Sequence, residues 1–257
     1  MKIKCEIITP LLMHGSDGRT PELREQSFNG IIRFWFRAIH GNLSLKDLRK
    51  KEAEIFGDTS QKSSFRMKIK KNSLMTNSFN PLPHKQPNFK IKGFSPEQTF
   101  EIEFLGKKLE SVKSIFVLST ILGGFGQRSR RGFGSIKVLE INNDKFEFEY
   151  SIEKIKELIK TINSKFSFDD RNFESKGKFP YIKSIEIGKE YKNYNVILKN
   201  IGIATHKYFC FGRANPRQAS PIVVSVLKQD NSFYPILTTL NGRGCWKNLQ
   251  NFKGEIL

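Results

Sequence analysis

Residues 99–140 read TFEIEFLGKKLESVKSIFVLSTILGGFGQRSRRGFGSIKVLE. The first eight, 99–106, read as a strand, with strict polar–apolar alternation from Thr99 to Phe104, the mark of a half-buried strand. A helix is expected from about Leu109 to Leu122, stopped by Gly123-Gly124. A glycine- and arginine-rich run then leads into a strand over 135–140. Strand, helix, glycine loop, strand is the second half of a split βαβ unit, so the first half should lie upstream.

Residues 2–9 (KIKCEIIT) alternate with Ile3, Cys5 and Ile7 on one face and read as a strand. After a turn-rich loop, Ser27 can cap a helix that continues to Ile39 or His40 and stops at Gly41-Asn42. Its buried stripe is expected to be Ile31, Phe34, Trp35, Ala38 and Ile39, with Gly30, Arg33 and Arg37 opposite. A second helix is expected from Ser44 to Phe56, stopped by Gly57, and a strand over 63–71. Pro81, Pro83, Pro87 and Pro96 make 72–97 a long loop or an irregular hairpin. The order is that of a ferredoxin-like βαββαβ unit with one extra helix.

The second half predicts a strand at 146–151, an amphipathic helix at 152–163 and a polar loop over 164–180. Strands are expected near 181–187, 194–198, 221–227 and 233–239, with a short helix after Gly244. The fold class is α+β: two tandem ferredoxin-like (RRM-like) domains, 1–142 with the glycine-rich loop and a degenerate 143–257.

The chain has 257 residues, a formal net charge of +19 and 23 phenylalanines. A charge that large favours a polyanionic partner. No apolar run reaches the ~18 residues of a membrane span. The start is too polar for a signal peptide. Cys5, Cys210 and Cys245 are odd in number and lack CxxC spacing, which argues against a disulfide framework or zinc site and for a reducing cytoplasm. No metal and no cofactor is expected.

Lysine outnumbers arginine 31 to 13, yet ten arginines fall in four short windows. Arginine's planar fork holds phosphate through two hydrogen bonds, so arginine retained against a lysine bias points to nucleic acid. Arg19, Arg24, Arg33 and Arg37 occupy RTPELREQSFNGIIRFWFR. On the helix, Arg33 and Arg37 project one turn apart, and Gly30 on their face lets a backbone approach. In GGFGQRSRRGFG, Gly123, Gly124, Gly126, Gly132 and Gly134 expose backbone N–H groups, and Arg128, Arg130 and Arg131 add forked donors. Arg213, Arg217 and Arg243 punctuate the C-terminal third. The alternative in each window is ordinary solvated or ion-paired arginine. The run is not a Walker A loop, because GK[ST] is absent. Its overlap with an RRM signature at Arg131–Gly134 follows a helix and carries no assignment of base stacking by Phe133.

Catalytic candidates are thin: four scattered histidines with no HExxH, and Asp17 and Asp58 as turn residues. His14, in a loop near the arginines, is the one candidate for a metal-independent RNA-cleaving base. His40 is expected to meet the end of its helix.

The ITPL strand end (8–11), the GSDGRTPELR loop (15–24), the helix GIIRFWFRA (30–38) and the GGFGQRSRRGFGS loop (123–135) resemble the RAMP superfamily of CRISPR effector proteins. More narrowly they are similar to the first-subunit family of the type III-B Cmr effector. The element Arg217, Ala219, Ser220, Pro221 onward is similar as well.

The resemblance implies two RRM-like domains and a non-catalytic subunit at the head of a helical ribonucleoprotein. It implies contact with the 3′ region of the crRNA or its duplex with target RNA, beside other RAMP subunits, with DNA not the primary ligand. The expected RNA contacts are Arg33, Arg37 and Gly30, then Gly123, Gly124, Gly126, Arg128, Arg130 and Arg131, and behind them Arg19, Arg24, Arg213 and Arg217. The rival function is a metal-independent CRISPR-repeat endoribonuclease with His14 as base. A third is a protein–protein adaptor.

Overall fold

The computed structural model describes residues 1–70, 73–86, 89–167, 180–209, 211–212, 215, 218–242, 244 and 246–257. The strands β1 (Lys2–Ile7), β2 (Phe65–Ile69), β5 (Thr99–Gly106), β6 (Ile136–Ile141) and β7 (Asp144–Lys145) form one antiparallel sheet in the order β2-β5-β1-β6-β7. Alternation places Ile3, Cys5 and Ile7 fully inside, with Cys5 opposite Phe100 and Ile3 opposite Ile102. The helices α1 (Glu25–Ala38), α2 (Leu45–Phe56) and α3 (Leu109–Leu122) accompany it. Ser44 caps α2 by accepting from the Asp47 N–H, and Gly57 ends it at φ 72°.

Helix α1 differs from expectation. It begins at Glu25, ahead of Ser27, and Arg24 caps it without a side-chain bond. Its buried residues are Phe28, Ile32, Trp35, Phe36 and Ala38, so the stripe is rotated by about one position, leaving Ile31 and Phe34 half-buried. The cause is a second packing partner. Phe28 meets Phe100 of the sheet edge-on at 5.9 Å while Phe36 meets Phe56 of α2 at 5.6 Å. Trp35 is core, as its place in the stripe predicts.

The second half of α3 is apolar almost all round, and every residue from Ile115 to Leu122 is buried, as such a stretch must be. Its polar residues turn inward on their own helix: Ser119 Oγ donates to Ile115 O and Thr120 Oγ1 to Val117 O.

The 72–97 stretch is a hairpin in its described part, β3 (Thr76–Phe79) against β4 (Ile91–Phe94), tied to the exit of β1 through Leu11 and Phe94. Beyond β7, residues 146–150 form no strand. Phe146, Phe148 and Tyr150 alternate toward the core, but after the bond from Phe146 N–H to Leu139 O no ladder continues, and that alternation mimics a strand. Helix α4 (Ile152–Ile162) packs on α3, and Asn163 Nδ2 donates to Ile39 O at the end of α1.

The strands β8 (Ile182–Ile187), β9 (Ile222–Gln229) and β10 (Ser232–Leu240) form a second antiparallel sheet in the order β8-β10-β9. The strand expected at 194–198 is instead the start of α5 (Tyr194–Lys207). Asn193 caps it, and Ile197, Leu198, Ile201 and Ala204 recur at helical spacing on the buried face. A 3-10 turn (Trp246–Asn248) and α6 (Leu249–Gly254) close the chain, as expected after Gly244.

Two hydrophobic clusters result, and both draw on both sheets. The larger joins the five-stranded sheet, α1, α3 and α4 to Val223, Leu227, Ile236 and Leu240. The smaller joins α5, α6 and the outer faces of β9 and β10 to Ile8, Leu12 and Phe133.

Candidate nucleic-acid interface

The glycine-rich run after α3 is a packed staple. Phe125 enters the larger core, stacked on Phe28 at 4.5 Å, and Phe133 enters the smaller one. Between them Gly134 N–H donates to Pro10 O, Phe125 N–H to Gly134 O and Gln127 N–H to Leu12 O. Gly132 N–H donates to Val224 O, and Val224 N–H to Arg130 O, which joins the run to β9. The glycines are needed for approach: a Cβ on Gly124 would lie 2.1 Å from Phe133 O, and one on Gly134 1.9 Å from Phe125 O. Gly123 lies against Trp35 for the same reason, and its N–H is taken by Ser119 O. Only the tip around 126–130 faces outward.

The three arginines of the tip stand differently. Arg131 Nη1 donates to Ser220 Oγ at 3.1 Å and Nη2 to Phe211 O at 3.0 Å. Burial, then the nearby Arg128 and Arg130, lower its pKa to about 10, so it remains charged at neutral pH. Arg130 donates to Ser220 O while its guanidinium lies 5.0 Å from the Phe34 ring centroid, a cation–π contact made possible by the rotated α1. Arg128 adopts φ 57°, and its Nε is buried without a partner.

On α1, Arg33 Nε and Arg37 Nη1 both donate to Glu52 Oε1 at 2.8 Å. Arg33 is further held by Gly57 O and by the Phe56 ring, 5.5 Å away. Arg37 has only Glu52 and keeps 38 % of its side chain exposed. Gly30 is exposed, with nothing within 4 Å of where a Cβ would stand.

The structure therefore brings together Gly30 and Arg37 of α1 with Gly123, Gly124 and Arg130 of the loop. They line a groove of about 260 Å³ with Phe34 and Ser129. A second hollow of about 290 Å³ continues past Ile31 to Ser27, Gly126, Gln127 and His14. A third, about 360 Å³, lies across Arg37 between α1 and α2. From Ser27 to Arg37 the helix rises about 15 Å, enough for more than one nucleotide.

Arg19 is exposed in a turn held by Asp17, whose carboxyl accepts from the Arg19 and Thr20 N–H groups. Arg24 caps α1. Neither lines a groove with Arg37. Arg213, Arg217 and Arg243 lie outside the described residues. His14 is engaged at both nitrogens: Nε2–H donates to Lys92 O at 2.7 Å, leaving Nδ1 to accept from Gln127 at 3.3 Å. Phe133 is buried, in keeping with its exclusion from base stacking. His40 Nδ1–H donates to Phe36 O of α1, as its position at the helix end predicts.

Two groups escaped sequence reasoning. Glu52 is an acid on the Leu48–Phe56 apolar stripe of α2, and that misplaced charge was the available signal. Ser220 receives both Arg130 and Arg131, and its Oγ also bonds within its own turn, to Ile222. The A-S-P element therefore locks onto the glycine loop.

Among the described residues no group of three or more His, Cys, Asp or Glu side chains is placed to hold a metal. No helix of the described residues is long and apolar enough to cross a membrane.

Comparison with known proteins agrees with this architecture. The family model of the RAMP superfamily matches residues 4–137. The CRISPR system Cmr subunit Cmr1-2 of Pyrococcus furiosus is 31% identical over 171 residues, 52% of this chain and 91% of that protein. Cmr1-1 of the same organism is 30% identical over 158 residues, 49% of this chain and 44% of its own length. The crystal structure of apo Cmr1 from Pyrococcus furiosus superposes with a TM-score of 0.69 at 20% identity, covering 99% of this chain and 95% of that one. A chain in the cryo-EM structure of type III-B Cmr-beta bound to cognate target RNA gives 0.65 at 12% identity, covering 99% and 98%. The chain belongs to the RAMP superfamily, and within it to the Cmr1 subunits of CRISPR Cmr systems.

Proposed function

We propose that this chain is a non-catalytic RNA-binding subunit of a type III-B CRISPR effector in the cytoplasm, gripping the 3′ region of the crRNA or its duplex with target RNA beside other RAMP subunits. The observation that carries this is the groove between α1 and the glycine loop. Gly30 removes the side chain that would fill it, and Arg37 and Arg130 flank it. Bare backbone at Gly30, Gly123 and Gly124 between two guanidiniums makes room for a sugar-phosphate backbone. Ile31, Phe34 and Val223 beside it are apolar and offer no hydrogen-bonding edge to a base, so recognition is sequence-independent. Arg37, Arg128 and Arg130 touch the RNA. Arg33 braces α1 against α2, and Arg131 braces the glycine loop against Phe211 and Ser220, ahead of β9.

The non-catalytic assignment is supported by His14, both of whose ring nitrogens already have partners, against the demands of a general base. The tandem ferredoxin-like architecture belongs to the same proposal. The antiparallel order β2-β5-β1-β6 is that of a βαββαβ unit, and β8-β10-β9 with α5 between β8 and β9 is three strands of another. The division at 142/143 then cuts through shared cores.

The test is RNA crosslinking mapped to residues in the reconstituted complex. Crosslinks at Gly30–Arg37 and 124–130 are expected. Crosslinks that avoid both segments overturn the proposal.

A further inference from the structure

The hollow of about 360 Å³ between α1 and α2 is lined by three arginines, Arg33, Arg37 and Arg49, and by the carboxylate of Glu52. Glu52 is buried, with 8 % of its surface exposed. Both hydrogen bonds that it accepts, from Arg33 Nε and Arg37 Nη1, fall on Oε1. Its second oxygen, Oε2, accepts none among the described residues and is not sealed from solvent, so it opens onto the hollow. Asp58, at the far end, differs: it is exposed and accepts from Ser60 and Gln61 in its own turn.

The rest of the hollow is placed along the path of a bound strand. Arg37 lines it and also lines the groove with Gly30 and Arg130, so the two are continuous at that guanidinium. A strand leaving the groove at Arg37 enters the hollow. Arg49, on the α2 side, is exposed and has no hydrogen bond or ion pair among the described residues. Beside it Leu45 is 49 % exposed and gives the hollow an apolar wall.

Three guanidiniums alone would suit phosphate anywhere in this space. An open carboxylate oxygen among them does not, because like charges repel and Oε2 keeps phosphate oxygens away from its own vicinity. A carboxylate has no proton to give, so the group it takes is a donor. In a sugar-phosphate backbone the only donor is the ribose 2′-hydroxyl, which DNA lacks. The carbon face of the same ribose suits the Leu45 wall.

We propose that Glu52 Oε2 accepts a ribose 2′-hydroxyl of the bound strand, with the flanking phosphates at Arg37 and Arg49, and so makes the grip selective for RNA over DNA. The inference rests on the RNA-binding function and adds to it the means by which the sugar is read. Base identity stays unread, since every ribonucleotide carries the same hydroxyl.

The experiment is fluorescence anisotropy of the full chain with RNA and with 2′-fluoro RNA of the same sequence. Fluorine keeps an RNA-like sugar and removes the donor. A hydrogen bond to a charged group is worth about tenfold or more in affinity, so wild type is expected to prefer RNA by about that factor. Glu52→Met removes both oxygens and should bind the two strands alike. Both strands are compared on one protein sample, which cancels any loss of folded protein. Glu52→Gln is gentler on the fold, keeps an acceptor without the charge, and should narrow the preference partway. Arg49→Gln changes an exposed residue without partners and should weaken both strands while keeping their ratio.

Equal binding of the two strands by wild type overturns the proposal. So does a preference that survives in Glu52→Met. Either result leaves Oε2 to a donor from a neighbouring protein. RNA affinity unaltered by Arg130→Ala marks failure of the RNA-binding function itself and takes the proposal with it.

Discussion

Arg131→Met separates bracing from RNA contact within one loop. Methionine matches the unbranched stem as far as Nε and removes the guanidinium with its charge. The substitution deletes the donors to Ser220 Oγ and Phe211 O, leaving Phe211 O unpaired and Ser220 Oγ with only its bonds to Ile222, at the seam between the glycine loop and the second sheet. Hydrogen bonds from a charged donor contribute about 1.5–3 kcal/mol each. Relief of the desolvation that lowers the Arg131 pKa offsets part of that loss. A net destabilisation of about 3 kcal/mol follows, or a fall in Tm of roughly 10 °C for a chain of this size. The assays are thermal unfolding by circular dichroism and RNA affinity measured well below the transition. The expected result is a large fall in Tm with RNA affinity within about threefold of wild type, because lost phosphate contacts are what weaken binding. An unchanged Tm with affinity lost would refute the bracing role and return Arg131 to the RNA-contacting set.

Glu52→Gln leaves Arg33 and Arg37 without their shared carboxylate. With both arginines about one-third exposed, the loss should be about 2 kcal/mol, read as a lower Tm by calorimetry. Arg37→Ala should reduce the slope of log affinity against log salt by about 0.7, the counterion release of one single-strand phosphate contact. His40 is buried and its folded pKa is lowered to about 4, because burial disfavours the charged ring. The unfolded chain therefore takes up the proton first. Stability is full above the ordinary value of 6.5 and falls as pH drops toward about 4. His40→Gln should flatten the upper part of that decline in urea titrations. Cys5 is fully buried and burial raises its thiol pKa, so it should stay unlabelled by iodoacetamide in the native protein when peptides are mapped by mass spectrometry.

The first unit was legible in the sequence because its strands alternate cleanly and its helices carry terminal signals such as Ser44 and Gly57. The face of α1 was harder. Phe28, Phe34, Trp35 and Phe36 put aromatics around much of the helix, and only the packing of Phe36 on α2 decides the rotation. The stretch 194–198 misled because five residues of α5 carry too little periodicity, whereas Ile201 and Ala204 farther on reveal the helix.

For the site, two of the arginine windows coincide with the segments that line the groove, α1 and the glycine loop. Their division of labour was not legible, since it depends on partners distant in sequence: Glu52 for Arg33 and Arg37, and Ser220 for Arg130 and Arg131. The glycines carried a double meaning. Gly30 opens space beside a groove, whereas Gly124 and Gly134 permit backbone contact inside a staple.

Gly30→Glu tests the central claim most directly. The site has open space for a side chain, and replacing a mid-helix glycine stabilises a helix by roughly 0.5–1 kcal/mol, so the fold should be retained or strengthened. The carboxylate would stand in the groove between Arg37 and Arg130. The measurement is single-stranded RNA affinity of this variant against wild type, with Tm recorded on the same samples. A Tm at or above wild type with affinity reduced at least tenfold is the predicted result. Wild-type affinity with the groove so filled would contradict the account.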